Sequence, residues 1–270
     1  MKANFKRIEY STRDGKKLVG IIGIPTEVRG FALLTHGINV DKNEFGNFYS
    51  DLADALYAAG VASLRFDFRG HGESSGSSME VSVLGDELDI NASIAQVQDH
   101  WDGKILFVAT SFGAGPMILV ANREPNRVKG LALIAPVLDY KRTFLEPVTP
   151  WAKASFNPKA IKKSRETGYI VLDDVRLSSK ILEEFATIRP YELLGKLDLP
   201  TLIIHGDKDS MVPYSVSKEV AATRQSIRLV TIRNGDHGYP DVDDETEGSG
   251  QQSLANKRFM IQEVVRFAIE

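Results

Sequence analysis

Apolar and polar positions along the chain follow two rhythms in turn. Residues 5–13 and 17–25 read as two strands joined at Asp14-Gly15, a hairpin signal. Residues 31–36 form a short apolar run that stops at Gly37. Phe48, Leu52, Ala55, Leu56 and Ala59 then recur at helical spacing ahead of Gly60, and residues 61–68 read as a strand. Ser82 to Trp101 predicts a long helix with Leu84, Leu88, Ile94, Val97 and Trp101 near one face. Residues 104–109 are apolar without polar alternation, the pattern of a strand covered on both faces. A helix over 112–122, a buried strand over 128–137 and a third buried strand at Leu202–Ile204 follow. A helix near 214–224, a strand near 227–232 and a helix over 253–269 complete the chain.

Strands alternating with helices imply right-handed crossovers and an α/β fold with a doubly wound, mostly parallel sheet. The N-terminal hairpin supplies an antiparallel edge. The interval 138–195 breaks the rhythm. It carries Pro147, Pro150, Pro158 and Pro190 among aromatics such as Tyr140, Phe144, Trp151, Phe156 and Phe185, and it is too long for a plain connection. It predicts a small, partly helical cap inserted into a core domain made of residues 1–137 and 196–270. The basic first half of that interval, with Lys141, Arg142, Lys153, Lys159, Lys162, Lys163 and Arg165, reads as a solvated face. Attraction of an acidic substrate is the other reading. The acidic run 241–247 reads as a solvated loop.

Composition narrows the function classes. The 270 residues hold 33 Lys and Arg against 36 Asp and Glu, a formal charge of −3, which gives no general attraction to nucleic acid or anionic membrane. There is no Cys, which excludes disulfides, Cys-ligated zinc, iron–sulfur clusters and a cysteine nucleophile. No stretch approaches the ~18 apolar residues of a membrane span, and the first ten residues lack a signal-peptide core. The expectation is a cytoplasmic protein of open oligomeric state.

The strongest chemical signal is Ala109-Thr110-Ser111-Phe112-Gly113-Ala114, which follows a buried strand and opens a helix. That is the context of a nucleophile elbow, where a sharp turn needs small residues two positions either side of the reactive one. Gly113 meets the need, and Ala109 replaces the more usual Gly. The bland alternative is a strand–helix turn with an unreactive Ser. A serine hydroxyl near neutral pH needs a base, and the base needs an orienting acid. Two later loops offer them in that order. His205-Gly206-Asp207-Lys208-Asp209 follows the strand at 202–204; Asp209 is the preferred acid and Asp207 the fallback, otherwise a turn-capping residue. Asn234-Gly235-Asp236-His237-Gly238 follows the strand near 227–232 and offers His237 as base. Of the other four histidines, His100 ends a helix and reads as surface. His36 and His205 end strands, where structural hydrogen bonding is the commoner role. His71 is the serious rival, although it precedes Ser111 in the chain. The backbone N–H groups of Phe112 and Ile38 are the candidate oxyanion donors, with Gly37 letting the backbone turn toward the site.

At these residues the chain resembles the α/β-hydrolase superfamily, and within it small capped bacterial carboxylesterases such as cinnamoyl and feruloyl esterases. The segment 64–74, Leu-Arg-Phe-Asp-Phe-Arg-Gly-His-Gly-Glu-Ser, the stretch His205 through Pro213 and the elbow carry the resemblance. It implies an α/β-hydrolase fold, with Ser111 matching the nucleophile, Asp209 the acid, His237 the base and Ile38 and Phe112 the oxyanion positions. Segment 64–74 is implied to be structural. No cofactor or metal is implied. Thr110 departs from the common His, and Phe112 from Gln or Met, which puts an aromatic near the acyl pocket. The expected function is a serine carboxylesterase acting through an acyl-enzyme on small to medium, aromatic or apolar, ester substrates. An acyl thioesterase or acyltransferase uses the same triad, and a ligand-binding receptor on a hydrolase scaffold is the rival from another class.

Overall fold

The computed structural model describes residues 4–270. Strands β1 (Phe5–Ser11) and β2 (Lys17–Gly23) form the expected hairpin, with Gly15 at φ +83° in its turn. The other strands of the main sheet are β3 (Gly30–Thr35), β4 (Val61–Phe66), β5 (Ile105–Thr110), β6 (Val128–Ile134), β9 (Thr201–Gly206) and β10 (Ile227–Ile232). They lie in the order β1-β2-β4-β3-β5-β6-β9-β10. β2 pairs antiparallel with β1 and β4, and every pairing from β4 to β10 is parallel. The chain therefore has the expected doubly wound sheet with an antiparallel edge.

Strand residues alternate between two cores. Phe31, Leu33, Ile105 and Phe107 pack on the face covered by α2 (Val83–Gln98), α3 (Ala114–Arg123) and α8 (Tyr214–Ala221). Ala32, Leu34, Leu106 and Val108 pack on the face covered by α1 (Phe48–Ala58) and α9 (Gln251–Ile269). That double coverage is why β3, β5 and the Leu202–Ile204 stretch of β9 read as apolar runs. On α2 the buried stripe is carried by Ile90, Ile94 and Val97, while Leu84 stands 45% exposed in the first turn. The strands expected to run to 13, 68 and 137 end two to three residues earlier, where the backbone leaves the sheet to build loops.

Between β6 and β9 the chain builds a π-helical turn (Lys141–Leu145), α4 (Pro150–Ser155), α5 (Pro158–Thr167), a hairpin of β7 (Tyr169–Leu172) and β8 (Val175–Ser178), α6 (Ile181–Thr187) and α7 (Pro190–Leu194). The β7–β8 hairpin is an addition to the helical content expected there. Its turn residues Asp173 and Asp174 both have positive φ, +47° and +66°, the sign a tight two-residue hairpin turn requires. Tyr140, Phe144, Phe156, Ile170, Leu177 and Phe185 make a third core that also takes in Phe112 and Val212. Those two residues follow the carboxyl ends of β5 and β9, so the segment rests on that edge of the sheet. None of the basic residues in its first half belongs to this core. Arg142 reaches Glu219 on α8 at 2.6 Å, and Lys159, Lys162, Lys163 and Arg165 face solvent.

Candidate active site

β5 delivers the chain to Ser111 at φ +50°, a left-handed conformation that an L-residue adopts only where its surroundings enforce it. A tight turn over Ser111–Gly113 then opens α3. The enforcement is steric. A Cβ on Gly113 would stand 2.4 Å from the carbonyl oxygen of His36, so the turn is pressed against the end of β3. Ala109 is fully buried, and its one methyl group fits where Gly is more usual. The Thr110 hydroxyl donates to Tyr49 Oη at 2.8 Å, and Tyr49 in turn donates to the Thr35 carbonyl at 2.8 Å, which ties the elbow to α1 and β3.

Three loops bring the sequence candidates together. His237 Nε2 lies 3.0 Å from Ser111 Oγ, and His237 Nδ1 lies 2.8 Å from Asp209 Oδ2. With Nδ1 protonated toward the carboxylate, Nε2 is free to accept from the seryl hydroxyl. The Asp209 side chain is fully buried. Its Oδ1 accepts from the N–H groups of Met211 and Val212 at 2.8 and 2.7 Å, and its Oδ2 accepts a second imidazole, His205 Nε2, at 3.0 Å. Ser217 completes that chain at His205 Nδ1, 2.8 Å away. Burial alone would push the Asp209 carboxyl up, but His237 and the bonds from both imidazoles outweigh it and hold the group well below the usual carboxylate range. Burial likewise disfavours the His237 imidazolium. Asp209, then Glu44 and Asp236, outweigh it, so His237 titrates above its ordinary value.

The remaining candidates stand elsewhere. Asp207 accepts from the Asn234 N–H at 2.8 Å and braces the two loops. His71 turns Nδ1 to the carbonyl of Arg69 at 3.1 Å, edge-on to the His36 ring. His36 is buried, accepts the Phe68 N–H at Nε2, and is pushed by that burial down to about 3. Segment 64–74 is a structural frame: Asp67 accepts from Lys42 Nζ and the Glu73 N–H, and Arg69 spans Asp89 and Asp14. Sequence reasoning missed Glu44, whose Oε1 accepts the Gly37 N–H at 2.5 Å, and Asp236, whose Oδ1 receives the N–H groups of Ser210 and His237 at 2.8 Å each. Asp236 adjoins the candidate base in sequence, so its proximity was a signal; Glu44 lies in a polar loop and gave none.

Ser111 and His237 open onto a cavity of about 530 Å3 that also meets Ile38, Phe112, Phe144, Trp151, Val175 and Met211. Its titratable lining consists of Glu44, Asp173, Asp236 and His237, with no Lys or Arg. Tyr140, Phe156 and Phe185 do not reach it; they belong to the core beneath. Phe112 does both, lining the cavity and packing on Tyr140, Phe144 and Phe185 at 5.9 to 6.4 Å. Among the described residues no cluster of three or more His, Cys, Asp or Glu is arranged to hold a metal ion, and no helix is long and apolar enough to cross a membrane.

This fold and this constellation define a class of protein, and comparison with known proteins agrees. The family model Hydrolase_4, described as serine aminopeptidase, S33, matches residues 26–240, and the chain belongs to that family of α/β-hydrolases. It is 28% identical to human palmitoyl-protein thioesterase ABHD10 over 66% of this chain and 58% of that protein. It is 22% identical to a monoacylglycerol lipase of Mycolicibacterium smegmatis over 77% and 83% of the two chains. Among solved structures it is similar to Est1E from Butyrivibrio proteoclasticus with ferulic acid bound, at 25% identity and a TM-score of 0.74, covering 95% of this chain and 99% of that one. The matched stretch spans 59% of the length of the first curated relatives, uncharacterized proteins of Mycobacterium tuberculosis.

Proposed function

We propose that the protein is a serine ester hydrolase in which Ser111 is the nucleophile, His237 the general base and acid, and Asp209 the orienting acid. The observation that carries this reading is the unbroken hydrogen-bonded path from Ser111 Oγ through both nitrogens of His237 to Asp209. His237 Nε2 takes the hydroxyl proton as Ser111 Oγ adds to the ester carbonyl. Asp209 holds the ring in the required tautomer and stabilises the imidazolium. The oxyanion is received by the N–H groups of Ile38 and Phe112. The carbon–oxygen bond to the alcohol then breaks and His237 returns its proton to the departing oxygen. Water, deprotonated by His237, attacks the acyl-enzyme and releases the acid and free Ser111. Residues 138–195 act as the cap that walls the acyl cavity. Phe112, Phe144 and Trp151 favour an apolar or aromatic acyl group, in line with ferulic acid in the Est1E structure.

A second reading, acyl thioester hydrolysis, is favoured by the similarity to palmitoyl-protein thioesterase ABHD10. The same residues serve it, because only the leaving atom changes. The test of the common chemistry is fluorophosphonate labelling together with turnover of p-nitrophenyl butyrate. Labelling and multiple turnovers are expected, both lost in Ser111→Ala. Labelling without turnover would favour a receptor. Paired rates on butyryl esters of p-nitrophenol and coenzyme A decide between ester and thioester.

A further inference from the structure

The loop between β3 and α1 holds a carboxylate that the reaction above does not use. Glu44 sits at φ +61°, ψ +171°, a region that residues with a side chain seldom occupy. Its side chain supplies part of the reason. Oε1 accepts the Gly37 N–H at 2.5 Å and Oε2 the Phe45 N–H at 3.1 Å, while its own N–H donates to the Asp41 carbonyl at 3.0 Å. The carboxylate thus reaches back seven residues to the His36–Gly37 peptide, while the adjoining Gly37–Ile38 peptide has its carbonyl oxygen 2.7 Å from His36 Nδ1. Gly37 is where it meets the reaction centre. A Cβ built there would lie 3.4 Å from Glu44 Oε1, 3.2 Å from Ser111 Cβ and 3.7 Å from Ser111 Oγ. Glu44 and Ser111 therefore flank one side of the Gly37 backbone.

Resting on the serine-hydrolase reading, we propose that Glu44 is a positioning residue: its carboxylate holds the His36–Gly37 peptide, one step before the peptide that presents the Ile38 N–H, and it lines the same cavity as His237, whose imidazolium its charge supports through space. Two consequences of the geometry carry this. By taking up the Gly37 N–H, Glu44 leaves the next amide, that of Ile38, to face the developing oxyanion, and a donor held still in advance costs no reorganisation during the reaction. Glu44 and Asp236 line the same cavity as His237, and with Asp209 they are the carboxylates that weigh on its ring; burial pushes the Glu44 carboxyl up, and the N–H groups of Gly37 and Phe45, then His237, oppose that push. Lys42, its near neighbour in sequence, is engaged by Asp67 at 2.7 Å. A Glu44 anion beside the ring favours the protonated base and so raises the pH at which activity is lost.

The test is steady-state hydrolysis of p-nitrophenyl butyrate, read at its isosbestic wavelength across the acid limb, for wild type, Glu44→Gln and Glu44→Asp. Ser111→Ala serves as blank. Glu44→Gln removes the charge and one of the two acceptors. Its kcat should fall about tenfold with KM within about threefold, and its acid limb should move to lower pH by roughly 0.3–0.5 unit. Glu44→Asp keeps the charge but is one methylene too short to hold Gly37, so kcat should fall similarly while the limb stays in place. A kcat within twofold of wild type in Glu44→Gln overturns the proposal, as does a common acid limb for the two variants. Should Glu44→Gln fail to fold, Glu44→Asp decides alone: undiminished kcat overturns the proposal, and the loss with an unmoved limb upholds it. Wild-type protein that turns over no ester, or Ser111→Ala that remains active, counts against the hydrolase reading itself and is distinguished by the blank.

Discussion

Asp209 Oδ2 receives two imidazole nitrogens, and the two contacts do different work. The one from His237 belongs to the proposed relay. The one from His205 locks the carboxylate from behind and passes on to Ser217. His205 is thus a structural hydrogen-bonding histidine at a strand end, as its position suggested, but its partner is the candidate acid. Because the carboxylates around His237 outweigh the burial that opposes its charge, the ring gains its proton at a higher pH than an ordinary histidine. A protonated Nε2 cannot accept the Ser111 proton. The kcat/KM profile should therefore fall on the acid side with a midpoint above 6.5, the ordinary histidine value. A midpoint at or below that value would show that burial wins.

At the level of elements, the elbow is a tightly pressed piece of local structure. The two nearest atoms facing Gly113 are backbone oxygens of β3 and the residue after it, with the Thr35 carbonyl 3.0 Å and the Thr35 hydroxyl 3.1 Å from the position of an added methyl group. Backbone in a central strand cannot move aside as a side-chain tip can. Gly113→Ala should therefore lose about 1–3 kcal/mol of stability, seen as a lower denaturation midpoint, and lose activity with it. Gly113 was legible in the sequence because a tight strand-to-helix turn demands a small residue at that spacing. The buried strands and the first hairpin were legible for similar reasons, since double coverage writes continuous apolar runs and Asp14-Gly15 marks a turn. The β7–β8 hairpin was not. Its strands have four residues each, and Asp173-Asp174 lacks the Gly that advertises positive φ. Glu44 was hidden for the same reason: nothing in the letter Glu announces a left-handed backbone or a bond to an amide seven positions back.

For the whole molecule, the distribution of charge sets what the cavity tolerates. Between β6 and β9, Lys159, Lys162, Lys163 and Arg165 face solvent and Arg142 pairs with Glu219, whereas the lining of the cavity presents carboxylates and no Lys or Arg. An ester carrying a free carboxylate on its acyl chain should react at least about tenfold more slowly in kcat/KM than a neutral isostere, since like charges a few ångströms apart at low effective dielectric repel by more than 1 kcal/mol. Mono-p-nitrophenyl succinate against p-nitrophenyl butyrate is the direct comparison, and faster reaction of the succinate would reverse this reading.

Sheet order has a further implication. The hydroxyl of Ser111 and the ring of His237 are 126 residues apart in the chain, and the ring is carried by the loop after β10, which joins the sheet only by pairing with β9. A polypeptide leaving the ribosome would therefore display the elbow long before it possessed a partner to deprotonate it. If the proposed relay is the reactive one, nascent chains would stay chemically silent until the outermost strand docks, and any break between the two loops that lets β10 drift away would silence the mature molecule in the same manner.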